Sequence, residues 1–322
     1  MKKLLLLLLT ATLLSGCADD AEVLNIQTEE KETQRVALGK AIQIITQPNL
    51  DDRTVLAMEA AAKQAAERFG YEIQIVVPTS SADALKKLKE TQVVPDLGGV
   101  IVASEGARMG KALSKVSQSG IPVVGIGDNS AAALPFGALG FIGVTDVGIG
   151  EAVGYRFKAA NKKKLLCITS TSAAKSREVV LCQSVGEKLK SSVVISVQVT
   201  ADEAPENIRK AIAGDKEIDS VLLANPKLIG VYQRAKENVV RDLTVGVLGY
   251  SDKLETELRN GNILFMTDNQ EAMQVRYAVD MLGTFLTTAG RIGNGTPVLT
   301  GPDIVSAATV DAVVLARKDL LR

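Results

Sequence analysis

Residues 163–189 read KKLLCITSTSAAKSREVVLCQSVGEKL, and the fold class follows from how this stretch divides. Residues 165–169 (LLCIT) are a short apolar run that suits a buried strand. Residues 170–174 are a loop of Ser, Thr and Ala. Beyond it Val179, Cys182, Val185 and Leu189 recur three or four positions apart, which is one face of a helix. Ser172 or Ser176 can cap that helix, its hydroxyl accepting a bond from an otherwise unpaired amide of the first turn. In open α/β sheets, the turn between such a strand and helix is where ligands bind. Arg177 stands at the helix start, against the positive end of the dipole. A planar fork of donors facing a crevice grips hydroxyls or an anion. The alternative is an Arg on a solvated face, where most long charged side chains sit.

Working outward, the same unit occurs earlier: residues 41–46 form a strand, 47–53 a polar turn, 55–69 a helix and 73–77 the next strand. Residues 193–199 hold the matching place after the first-described unit. The pattern then repeats along the chain. Strands are expected at 99–103 (GVIVA), 121–126 (IPVVGI), 141–144, 220–224 (SVLLA), 244–248 (TVGVL) and 263–267. Helices are expected at 83–90, 111–120, 151–160, 206–213, 228–237 and 271–288. Strands alternating with helices of this length argue for parallel sheets covered on both faces, here two α/β lobes with a crevice between them.

Nearly every strand end carries polar groups: Asp51, Asp52 and Arg53; Ser104 and Glu105; Asp128 and Asn129; Thr145 and Asp146; Ser172 and Arg177; Asn225; Ser251 and Asp252; Asp268, Asn269 and Gln270. Such residues favour turns and caps on their own account. Recurring together, they supply the mixed donors and acceptors that several hydroxyls of a small polyol require.

The chain holds no His and no Trp. A Ser-His-Asp or Cys-His catalytic set and His-ligated metal are therefore excluded, and no cofactor motif or metal-ligand cluster is present. Cys167 and Cys182 fall on the inward faces of a strand and the following helix, which favours a pair of buried thiols over a disulfide.

The chain starts MKKLLLLLLTATLLSGC. Two lysines precede an apolar run too short to span a bilayer, and the end of the run, Leu14-Ser15-Gly16-Cys17, looks like a bacterial lipobox. Residues 1–17 thus read as a lipoprotein signal with Cys17 as the lipidated residue. Residues 18–35, acidic and aperiodic, read as a flexible tether. The 37 basic and 37 acidic residues balance, which gives no electrostatic footprint for nucleic acid.

Over residues 38–315 the order and spacing resemble the periplasmic sugar-binding proteins of ribose/galactose type, the solute-binding components of ABC importers. Ile121-Pro122-Val123-Val124 is similar to the family strand that precedes a binding Asp. Gly143-Val144-Thr145-Asp146 with Gly150, Thr171-Ser172-Ala173-Ala174 with Arg177, Leu223-Ala224-Asn225, residues 246–252 (GVLGYSD) and 267–270 (TDNQ) resemble further family segments. Departures are also visible. Where the family places Asn-Pro and two ring-stacking aromatics after the first strand, this chain has Asp52-Arg53-Thr54-Val55; Gly127 precedes Asp128, and Ser251 precedes Asp252, at places where the family has its Asp.

The resemblance implies a type I periplasmic binding protein: two Rossmann-like α/β lobes joined by three crossings. The first lobe would comprise residues 36–144 and 271–300, the second 145–270 and 301–322. It further implies a non-enzymatic, monomeric, lipid-anchored protein of the cell envelope. Such a protein would capture a small polar solute, foremost a monosaccharide, and present it to an ABC permease. Ligand-binding residues would be Asp52, Arg53, Asp128, Thr145, Arg177, Asn225, Tyr250, Asp252, Asn269 and Gln270, with Tyr250 as the stacking face. The alternatives are a sensing subunit of a signalling system and a binder of a nucleoside or another non-sugar solute.

Overall fold

Strand β1 (Ala41–Ile45) is apolar along nearly its whole length and buried, as a central parallel strand covered on both faces must be. The computed structural model describes residues 39–319 apart from 49, 92–93, 95, 104–105, 129–133, 171–175, 190, 240 and 294. The expected signal, Cys17, the tether and Ser172 lie outside the described residues.

Beside β1 run β2 (Glu72–Val76) on one side and, on the other, β3 (Leu97–Ala103), β4 (Val123–Asp128), β5 (Gly140–Val144) and β11 (Val298–Leu299). Every pairing in this first sheet is parallel. The second sheet is built on β6 (Leu165–Thr169), flanked by β7 (Ser192–Ser196) and by β8 (Ser220–Leu223), β9 (Thr244–Val247), β10 (Phe265–Asp268) and an antiparallel edge strand, β12 (Asp303–Val305). The order 2-1-3-4-5 in the first sheet is repeated as 7-6-8-9-10 in the second. The two similar halves expected from sequence are therefore one topology used twice. Both orders reverse at the first strand of the half, the switch point where open α/β sheets leave a crevice.

Helices α1 (Asp52–Glu67) and α9 (Glu271–Thr288) cover one face of the first sheet, where Met58, Ala62 and Ala66 meet Val275, Val279 and Leu282. On the other face lie α2 (Ser81–Glu90) and α3 (Gly106–Gln118); Gly120 beyond α3 takes φ +88°, as a helix-ending glycine does. The second sheet is covered by α4 (Asp146–Ala159) and α5 (Arg177–Leu189), by α6 (Ala204–Gly214) and α7 (Ile229–Lys236), and by α8 (Asp252–Arg259) and α10 (Val310–Lys318). Its core centres on Phe157 and Phe265, whose rings meet edge to face at 5.1 Å. The chain crosses between the lobes three times: at Thr145, at Asn269–Gln270, and at residues 300–302 between β11 and β12.

Three sequence expectations are corrected here. Helix α4 begins five residues before the expected 151, because Thr145 Oγ1 accepts from Gly148 N at 3.0 Å and starts the helix. Strand β10 begins at Phe265, not at 263. Cys167 and Cys182 form a disulfide, with Cα atoms 5.7 Å apart. Both inward positions that favoured buried thiols are real; α5 folds back directly over β6 and brings them within bridging range.

Candidate functional site

Asp128 ends β4 after Gly127, whose φ of +102° a side chain would strain. Its carboxylate meets the second lobe. Arg177, the first residue of α5, donates from Nη1 to Asp128 Oδ2 at 2.6 Å and from Nε to Asp146 Oδ1 at 3.0 Å. Asn269 Nδ2, just past β10, donates to the other Asp128 oxygen at 2.9 Å, and Gln274 Nε2 holds the Asn269 carbonyl at 2.7 Å. Ser176 begins α5: its carbonyl accepts from Val180 N and its hydroxyl from Val179 N at 3.4 Å.

Beside this cluster Glu178 accepts from the Ser170 amide and hydroxyl and from Asn225 Nδ2 at 2.6 Å. Asn225 Oδ1 in turn caps the 3-10 turn that follows β8, accepting from Lys227 N at 3.0 Å. The β6–α5 loop and the end of β8 are thus tied by one carboxylate.

A cavity of about 190 Å³ opens between these groups, lined by Asp128, Ile149, Arg177, Asn225, Thr267 and Asn269 among others, with no aromatic ring among the described residues of its lining. Arg177 Nη2 and Asn269 Oδ1 are buried without a hydrogen-bond partner among the described residues. One is a donor and the other an acceptor. A larger groove of about 710 Å³ lies elsewhere, against α1 and α9, lined by Ala60, Met273 and Tyr277.

The structure therefore gathers four of the expected residues, Asp128, Arg177, Asn225 and Asn269, around one cavity. The others do not line it. Thr145 caps α4. Gln270 takes φ +60° ahead of α9, its amide bonded to Asp268 Oδ1. Asp52 is exposed in the first turn of α1, and Arg53 reaches across to Asp252 at 3.5 Å with both side chains exposed. Tyr250, the expected stacking face, donates from its hydroxyl to Glu255 at 2.6 Å and has the Arg317 guanidinium 4.1 Å from its ring centre. Burial and the Glu255 carboxylate together push the Tyr250 phenol well up.

Sequence reasoning left three participants off its site set. Asp146 directly follows a Thr cap, and Glu178 directly follows Arg177; either adjacency was a usable signal. Arg317 had none. At the second crossing Glu271 is pushed up to about 8, by burial first and then by the charges of Asp268 and Asp128.

No protein-family description matches the chain, and no curated protein does. Solved structures do. A carbohydrate transporter from Acidothermus cellulolyticus 11B in complex with myo-inositol aligns with a TM-score of 0.72 at 21% identity, covering 88% of this chain and 100% of that one. This is the type I periplasmic binding protein fold. A periplasmic ribose ABC transporter from Conexibacter woesei gives 0.70 at 16% identity, covering 87% and 96%. An ABC transporter solute binding protein from Burkholderia graminis, in complex with D-arabinose, gives 0.66 at 15%, covering 85% and 97%. In this periplasmic binding protein fold Asp128 is supplied by the first lobe, and Arg177, Asp146, Asn225 and Asn269 come from the second side of the crossings.

Proposed function

We propose that the protein is the extracytoplasmic solute-binding lipoprotein of an ABC importer and closes its two lobes around a small polyhydroxy solute, foremost a monosaccharide. The observation that carries this reading is Arg177. It spans from the second lobe to Asp128 on the first, and its remaining Nη2 donor shares a cavity with the unpaired Asn269 Oδ1 acceptor. A hydroxyl both accepts and donates, so one class of ligand satisfies both groups. The fold's solved neighbours, determined with myo-inositol and D-arabinose, support the same class. The described lining residues carry no aromatic ring, so recognition there rests on hydrogen bonds to hydroxyls and not on ring stacking.

The solute enters the open cleft and favours the closed form by the bonds it makes only there, and the permease reads that closed form. Among the described residues Asp128 and Asp146 outnumber the one cation they flank, and the net negative charge of the cluster disfavours an anionic solute. Export to an oxidising compartment, expected from the leader sequence, is supported by the Cys167–Cys182 disulfide. No catalytic step is assigned.

The test is a thermal-shift screen of the purified protein against neutral sugars, polyols, uronates, sugar phosphates and nucleosides. A ligand at about a thousand times its Kd adds ~4 kcal/mol. A rise with a neutral sugar or polyol, and none with its phosphate, is the expected result. A rise with a nucleoside or an anion alone would overturn the substrate class.

A further inference from the structure

Arg317, on the last helix, is 4% exposed. A guanidinium that deep must be paired, and its partners lie on both lobes. Its Nη2 donates to Thr54 Oγ1 at 3.0 Å, and the same hydroxyl donates in turn to Asp51 Oδ2 at 2.8 Å. Asp51 and Thr54 begin α1 of the first lobe; Asp51 also accepts from Thr54 N at 2.9 Å. On the second lobe the guanidinium packs over the Tyr250 ring, and Glu255 holds that ring by its hydroxyl. Arg317 Nε has no hydrogen-bond partner among the described residues.

We infer that Arg317 is a positioning residue for lobe closure: seated on Tyr250, it latches to Thr54 and sets how much of the protein is closed before any ligand arrives. The bond joins α10, packed on the second sheet, to the start of α1 on the first, so an opening that separates these two helices breaks it. Arg177 also crosses the cleft, but it does so inside the cavity where a ligand competes for its donors. Arg317 is absent from that cavity's lining, so its contribution to closure is the same for every ligand. Tyr250 serves as the seat of this latch and not as a face for the solute.

The inference rests on the two-lobe closure of the proposed function, but its test needs no solute, so a failed sugar screen leaves it standing. Fluorophores introduced through unnatural amino acids at Lys115 on α3 and Lys210 on α6, both exposed, report the lobe separation in the full chain without ligand. Arg317→Met keeps the packing of the stem and removes the fork. Thr54→Val removes the acceptor together with the hydroxyl's own bond to Asp51, and leaves the Thr54 N–Asp51 bond that caps α1. Each is expected to lengthen the separation and lower the closed-to-open ratio about tenfold, as loss of one bond to a charged group does. The double variant is expected to go no further than either single one. If Arg317→Met fails to fold, Thr54→Val still decides. An unchanged separation in folded Thr54→Val, or additive effects in the double variant, would overturn the inference.

Discussion

Arg177 is flanked by two carboxylates at 2.6 and 3.0 Å, yet its side chain keeps 38% of its surface and one unpaired nitrogen. It is engaged enough to be fixed and open enough to bind. Arg177→Ala therefore loses the ligand-facing donor and leaves Asp128 and Asp146 facing each other across the lobes. Truncating one member of such a pair costs 2–5 kcal/mol, which by calorimetric titration appears as an affinity loss of at least roughly thirtyfold. Glu271 gives a second prediction at this scale. Its folded-state value, about 8 against an ordinary 4.5, means the native state holds a proton that the unfolded chain has released. Stability thus falls as pH rises between those two values. Calorimetric melting of Glu271→Gln across that window should show the slope flattened, and a higher melting temperature than the parent at its alkaline end. Asp128, Arg177, Asn225 and Asn269 were legible because each closes or follows a short apolar strand, and strand ends of one sheet edge must converge. The role of Tyr250 was not, since Arg317 is distant in sequence and nothing in the periodicity of α10 marks one of its cations as buried.

Among the elements, α4 and α5 matter most, because Asp146 begins one and Arg177 the other. They approach closely at glycines: a Cβ on Gly150 would overlap Ser184, and one on Gly154 would lie 2.5 Å from Lys188 Cβ. Gly150→Ala must push the helices apart, at a cost of about 1–3 kcal/mol by urea unfolding, and must weaken ligand binding through the Asp146–Arg177 contact. The resemblance that singled out Gly150 was therefore reporting a packing distance. The disulfide ties the same α5 to the strand beneath it. With its cysteines 15 positions apart in sequence, a Cys167→Ala/Cys182→Ala variant should lose ~3 kcal/mol in the same assay on chain-entropy grounds. Element order and type were readable from alternating apolar runs and helical spacing. The start of α4 was not, because residues 146–150, with two glycines, carry little helical propensity and depend on the Thr145 cap.

For the whole molecule, the links between lobes differ in weight. Arg53 and Asp252 span the cleft at 3.5 Å with side chains 43% and 69% exposed. Arg53→Ala should change lobe separation by less than the equivalent of about 1 kcal/mol and leave ligand affinity nearly intact in moderate salt, as titration would register. The links through Arg177, bonded to two carboxylates, and through the buried Arg317 dominate closure.

The interleaving of the two halves also dictates an order of manufacture. Strands β1 to β5 leave the ribosome before any of the second sheet, but the helix that covers one of their faces, α9 with Val275, Ala278, Val279 and Leu282, follows only after β10. For the whole interval in which the second lobe is being made, α1 alone covers that face, and the apolar surface left for α9 is of the kind that aggregates or is held by a chaperone. Both lobes wait for elements made late: α9 and β11 complete the first, and β12 and α10, made after them, complete the second. A ribosome or translocon that stalls before α9 releases a product in which neither half is finished, the first of them showing its apolar face.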